Sequence, residues 1–258
     1  FDIKPVCLTH SIPDPFSLCI STKSGTIFHT GDWKFDNNPK LGKKPNYEEL
    51  QSIGNKGILA LVGDSTNAMV EGVTRSESDA FDGLKSVINK ASGRIVVTCF
   101  ASNIARIKSI LEASLTNNKK VFLAGRSLIK AVEAANEVGY PVEGIEISFK
   151  NIDKYKHEDV VIIAAGSQGE TRSTMTRIAN LHHDKIKIKP GDTAIFSSSK
   201  IPGNELAIDK VHSAFLKNGV NVITDEDELV HVSGHPGRED IVKLYNLIKP
   251  QISIPVHG

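Results

Sequence analysis

The sequence predicts an α/β protein built largely on parallel sheet. Two observations carry that reading: short β-branched runs recur along the chain, and between residues 94 and 225 each run is followed by a helical pattern. A third observation sets the first seventy residues apart, because they read as hairpin-like strands and loops with little helix.

The opening segment FDIKPVCLTH begins as if already inside a sheet, and FSLCIST and GTIFHTGD follow it as strands. Residues 37–57 form a polar connection with a short helix, and its lysines read as a solvated face. GILALVGD is the next strand and SESDAFDGLKSVINKA the next helix. Strand RIVVTCF then leads into ASNIARIKSILEASLTNN, where Ile104, Ile107, Ile110 and Leu111 recur at helical spacing and Ser102 or Asn103 can cap the start. The alternation continues with KKVFLAG, SLIKAVEAANEVGY, DVVIIAAG, DTAIFSSS, ELAIDKVHSAFLKNG and VNVITD. Helix GREDIVKLYNLIKP and strand ISIPVHG close the chain.

Bulk properties bound the function. With 258 residues the chain holds one large or two modest domains. A formal net charge of +1 excludes a global basic field, so any polyanion site must be local. Cys7, Cys19 and Cys99 form no CxxC pair and sit in apolar or strand-like runs, as reduced thiols of a cytoplasmic protein do. No run of eighteen apolar residues exists, and the start resembles no signal peptide, so the chain is expected to be soluble and not exported. The first residue is phenylalanine, which reads as a fragment whose upstream sequence is missing.

Histidine and carboxylate are ligands for zinc, and strand ends are where distant segments can assemble a site. Four places match: THSIPD with His10, HTGDWKFD with Asp32, GDSTNA with Asp64, and the terminal pair His235 and His257. Taken singly, none is specific. A lone histidine near a strand end is usually structural, and an aspartate after glycine is usually a turn former.

Taken in order, HSIPD, TGDxKFD, GDSTNA, FASNxxR, GRS, GSQGE, SSSxIPGNE, HVSGH and PVHG resemble the ribonuclease J family. That family is a bacterial member of the β-CASP branch of the metallo-β-lactamase-fold nucleases. The resemblance runs from about residue 5 to residue 258. It implies a partial metallo-β-lactamase αββα domain over 1–77, a β-CASP domain of mainly parallel sheet over 78–240, and a return to the first domain over 241–258. It implies two zinc ions per site, with Mn2+ or Mg2+ as alternatives. His10 and His257 would ligate one ion each and Asp32 would bridge them, while Asp64 would orient a metal-bound histidine. His235 would face the scissile phosphate and stabilise charge or protonate the leaving oxygen.

The same resemblance implies RNA as partner, with a 5′ monophosphate, and a homo-oligomer in the full-length protein. FASNIAR offers Ser102, Asn103 and Arg106 to a phosphate at a helix start, although capping alone accounts for Ser102 and Asn103. GRSLIK (Arg126, Ser127) and GSQGE (Ser167, Gln168) follow strands, at the carboxyl ends where α/β sheets bind ligands. SGHPGR adds Ser233, Gly234 and Arg238. His231 precedes the active loop and reads as structural, and His29, His157, His182, His183 and His212 match no metal motif.

Departures from the family pattern matter too. The signature HxHxDH is absent from this sequence, as is the C-terminal domain, so the chain alone is expected to be inactive. MVEGVTRSE and HPGRED also differ from the more frequent family forms. The expected activity of the intact protein is RNA hydrolysis, endonucleolytic and 5′-to-3′ exonucleolytic. The alternatives are a non-catalytic RNA-binding β-CASP paralogue and a β-CASP nuclease with another nucleic-acid substrate.

Overall fold

A computed structural model describes residues 1–257. Its first elements are β1 (Asp2–Cys7), β2 (Phe16–Thr22), β3 (Gly25–His29), α1 (Tyr47–Asn55) and β4 (Ala60–Asp64). Next come α2 (Glu77–Lys90), β5 (Ile95–Thr98), α3 (Ile104–Thr116), β6 (Lys120–Ala124), α4 (Arg126–Glu137) and β7 (Ile145–Glu146). The remainder are β8 (Val160–Ala164), α5 (Thr174–Ala179), β9 (Thr193–Phe196), α6 (Glu205–Lys217), β10 (Asn221–Ile223), α7 (Arg238–Ile248) and β11 (Ile252–Val256).

These elements form two compact units. One contains Phe1–Glu77 and the residues from Ser233 onward, and the other contains Ser78–Val232. The sequence reading placed residues 233–240 with the inserted segment, whereas they pack in the first unit. The Gly234 carbonyl there accepts a hydrogen bond from His10, and Asn67 Nδ2 donates to Ser233 Oγ.

The first unit is a five-stranded sheet in the order β1-β2-β3-β4-β11. β1, β2 and β3 pair antiparallel, while β4 runs parallel to both β3 and β11. Directly paired residues share a face, so Cys19, Phe28 and Leu61 lie on one side. That side packs with Leu50 and Ile53 of α1, Leu244 and Ile248 of α7, and the buried rings Trp33 and Phe35. Each fully buried large side chain there contributes about 1.5–3 kcal/mol. At Gly54 an added Cβ would stand 2.0 Å from the Leu247 carbonyl oxygen, so α1 can approach α7 this closely only without a side chain there. On the opposite face Ile3, Leu18, Ile252 and Ile254 remain exposed.

The second unit is a six-stranded, all-parallel sheet in the order β10-β9-β5-β8-β6-β7. Its central strands are continuous apolar runs such as VVIIA, buried at every position, as helix-covered parallel strands require. Polar residues occur where these strands end: Asn103 caps α3 by accepting from the Arg106 backbone N–H.

Candidate metal centre

The first unit gathers His10, Asp32, Asp64, His235 and His257. His10 leaves the sheet two residues after the buried Leu8, and its Nδ1 lies 2.7 Å from the Gly234 carbonyl oxygen. A carbonyl only accepts, so Nδ1 carries the proton and Nε2 of the neutral ring is left with its lone pair. Burial holds the His10 imidazole below its usual range and outweighs the opposing Gly234 hydrogen bond. The ring is therefore kept neutral, the form a metal requires.

Gly234 itself is set by packing. A Cβ at this position would meet the His10 ring at 2.7 Å and Ser11 Oγ at 2.2 Å. Its expected role as a phosphate contact gives way to that of orienting His10 through the backbone.

Asp32 follows Gly31, whose φ of +62° turns the chain after β3. Its two oxygens face different histidines: Oδ2 lies 3.9 Å from His10 Nε2, and Oδ1 lies 3.4 Å from His257 Nδ1. His257 follows directly on β11, which is held beside β4 by Ser65, whose backbone N–H and hydroxyl both donate to the Val256 carbonyl.

Asp64 and His235 form a tight pair. The fully buried Asp64 carboxylate accepts from His235 Nδ1 at 2.7 Å through Oδ2, and from the Thr66 N–H and hydroxyl through Oδ1. Burial alone would raise the Asp64 carboxyl, but the bonds from His235 and Thr66 hold it below its usual range. The same contact pushes the His235 imidazole up, against burial. Thus two histidines with ring centroids 5.2 Å apart are shifted in opposite directions.

Ligand-capable atoms of His10, Asp32 and His235 all lie within 4.8 Å of one another. Two imidazoles and a carboxylate suit zinc and related divalent ions. Each imidazole is anchored through Nδ1, the arrangement that fixes tautomer and ring direction in metal sites. The donor set therefore fits a divalent cation.

The strand-end residues of the second unit fare differently. Arg106, expected to hold phosphate, is fully buried, and its Nη1 lies within hydrogen-bond reach of the Ser197 carbonyl and hydroxyl, the Val230 carbonyl and His231 Nδ1. This contact also engages His231. Asn103 is buried in its cap, and Gln168 joins two loops, donating to the Ser199 carbonyl and accepting from the Ile201 N–H. In all three the bonded atoms are taken up by the protein itself, which accounts for these buried side chains without a ligand. Ser167 is also buried, whereas Ser102, Arg126 and Ser127 are exposed.

In the first unit, Ser233 Oγ accepts from Asn67 Nδ2 and from the His235 N–H, which fixes the turn carrying His235. Arg238 donates to the carbonyls of Ala68 and Met69 and pairs loosely with Glu71, so its guanidinium is drawn onto the 68–71 loop. Sequence reasoning passed over Asn67 and Thr9. Thr9 stands in THSIPD and Asn67 in GDSTNA, where neither residue type singles itself out.

Comparison with known proteins accords with this architecture. Residues 92–215 match the family model described as "Ribonuclease J, beta-CASP domain". Residues 219–258 match that of a "Zn-dependent metallo-hydrolase RNA specificity domain". Ribonuclease J of Sinorhizobium meliloti is 42% identical over 261 residues, covering 100% of this chain and 46% of the relative. Ribonuclease J of Synechocystis sp. is 38% identical over 260 residues, covering 100% and 41%, and that of Corynebacterium glutamicum 36% over 260, covering 100% and 36%. A solved protein of unknown function from Enterococcus faecalis V583 resembles the fold, with a TM-score of 0.66 at 17% identity over 99% of this chain and 58% of that one.

Fold and matched models together define a chain of the β-CASP metallo-hydrolase class. Within it, the chain belongs to the ribonuclease J family. It spans less than half the length of the curated relatives named above. No helix among the described residues is long and apolar enough to cross a membrane.

Proposed function

We propose that the intact protein is a metal-dependent ribonuclease that hydrolyses RNA phosphodiester bonds, both endonucleolytically and from a 5′-monophosphorylated end. One observation carries this reading: His10, Asp32 and His235 converge with their ligand atoms within 4.8 Å. His10, Asp32 and His257 would hold two zinc ions, Asp32 serving both through its two oxygens, with manganese or magnesium as alternatives. Its separate approaches to His10 and His257 support that sharing. When bound, such ions supply Lewis acidity to phosphoryl oxygens and activate water for attack near neutral pH.

The chain's own residues do the rest. His235, favoured in its charged form by Asp64, stabilises charge on the scissile phosphate or gives a proton from Nε2 to the leaving oxygen. Exposed Ser102, Arg126 and Ser127 take up RNA backbone on the second unit. Ribonuclease J names among the relatives and the matched RNA-specificity model support RNA as substrate. Residues 1–77 and those from Ser233 onward are read as metallo-β-lactamase domain, with the β-CASP domain between them. Action in the cytoplasm is supported by Cys7, Cys19 and Cys99 forming no CxxC pair, and assembly into a homo-oligomer by the family resemblance.

A second reading of His235 is favoured by its place in the ligand cluster: it would be a ligand rather than a proton donor. His235→Ala in the intact protein separates the two, because a proton donor's loss abolishes cleavage with zinc retained and a ligand's loss removes zinc as well. His10→Ala tests the function itself. It is expected to deplete zinc, measured by elemental analysis, and to cut hydrolysis of 5′-monophosphorylated RNA by at least about 100-fold; wild-type cleavage in that variant overturns the reading.

A further inference from the structure

Beneath the candidate ligands lies a buried polar network. Thr9, immediately before His10, forms an isolated antiparallel bridge with Lys34, two residues after Asp32, and accepts the Lys34 N–H on its carbonyl at 2.7 Å. The Thr9 hydroxyl donates to the Lys34 carbonyl at 2.6 Å and accepts from the Asp36 N–H at 2.9 Å. Three hydrogen bonds thus stitch the loop carrying His10 to the loop carrying Asp32.

The second loop is clamped in turn. Lys34 Nζ lies 3.6 Å from Asp36 Oδ2 and donates to the Arg75 carbonyl at 3.0 Å. Asp36 accepts from the Ser76 hydroxyl and the Asn38 N–H on Oδ1, and from the Glu77 N–H on Oδ2. Lys34 and Asp36 are 3% and 2% exposed, so both charges have left water almost completely. Such a pair costs desolvation that a well-packed apolar pair avoids, so bare stability is a poor reason for it. Fixing one geometry is a better one.

We propose that Thr9, together with the Lys34–Asp36 pair, is a positioning device that sets the spacing between His10 and Asp32 for a divalent cation. This rests on the reading of His10 and Asp32 as ligands. None of the three positioning side chains touches the ion or the RNA; they act through the backbone on either side of the site. Thr9→Val keeps the volume and deletes both hydroxyl bonds, whereas Thr9→Ser keeps the hydroxyl.

Zinc affinity of the intact protein, measured by competition with a chromophoric chelator, is the readout, beside the melting temperature of the metal-free form. Thr9→Val is expected to lower affinity by about 10–100-fold with little change in metal-free melting, and Thr9→Ser to restore it. Wild-type affinity in Thr9→Val, or failure of Thr9→Ser to rescue, overturns the proposal. Should Thr9→Val not fold, Ser76→Ala removes one bond from Asp36 and is expected to weaken zinc by about threefold or more; unchanged affinity overturns the proposal equally. His10→Ala is the control for the underlying reading. Wild-type zinc affinity there sinks the ligand assignment itself, whatever Thr9→Val does.

Discussion

The candidate metal centre of the first unit and the strand-end loops of the second both set polar side chains near the ends of strands, yet they are built to opposite ends. In the first unit His10 and His235 each spend one ring nitrogen on the protein, at Gly234 and Asp64, and keep the other. In the second, Arg106 and Gln168 are occupied by carbonyls, hydroxyls and backbone N–H groups, and Asn103 by its helix cap. A site is distinguished from a scaffold by half-satisfaction: enough partners to fix direction, and one good atom left over.

The largest expected effect falls on the half-satisfied side. Gly234→Ala puts a methyl group into the His10 ring, so zinc affinity of the intact protein should fall by about 100-fold in chelator competition. Retained affinity would show that the carbonyl contact does not hold His10 in place. Next in size is the saturated side. Arg106→Leu strands the acceptors at Ser197, Val230 and His231 and should cost about 2 kcal/mol in urea unfolding, while RNA affinity of the folded fraction stays the same. Its counterpart, Arg126→Ala, should leave stability within about 0.5 kcal/mol and reduce the salt dependence of RNA binding by about one unit of slope. If the two arginines exchange these outcomes, the contrast fails.

The smallest effect is one of pH, read on the metal-free protein. Asp64 sits below its usual value of 3.8, so its stabilisation is present above that value and is lost as pH falls through the lowered one. His235 sits above its usual 6.5, so its stabilisation is complete below that value and fades as pH rises through the raised one. Between about pH 4 and 6.5 the pair should add about 1 kcal/mol, and Asp64→Asn should flatten this window in thermal melts at graded pH. A wild-type profile in Asp64→Asn argues against the pair as the source.

Most of the fold was legible because apolar runs and helical spacing report burial directly. The short α5 was not, since TMTRIA is embedded in polar residues and leans on Met175 and Ile178 for its hold. Within the site, His10, Asp32, Asp64, His235 and His257 stood out through the order of their motifs. What a sequence does not carry is whether a polar side chain already has partners. Arg106 was misread for that reason, because its acceptors at Ser197 and Val230 lie 91 and 124 residues further along the chain. Thr9 went unseen because a threonine at a strand end has no signature of its own until Lys34 and Asp36 are folded against it.

The parallel register of β11 on β4, Val256 against Asp64, has a consequence in time. The histidine that faces Asp32 Oδ1 is residue 257, while the one that faces Oδ2 is residue 10. At ribosomal rates of about 5–20 residues per second, about 12–50 s pass between the emergence of one and the other. Until β11 slots in beside β4, a nascent chain holds only part of the cluster.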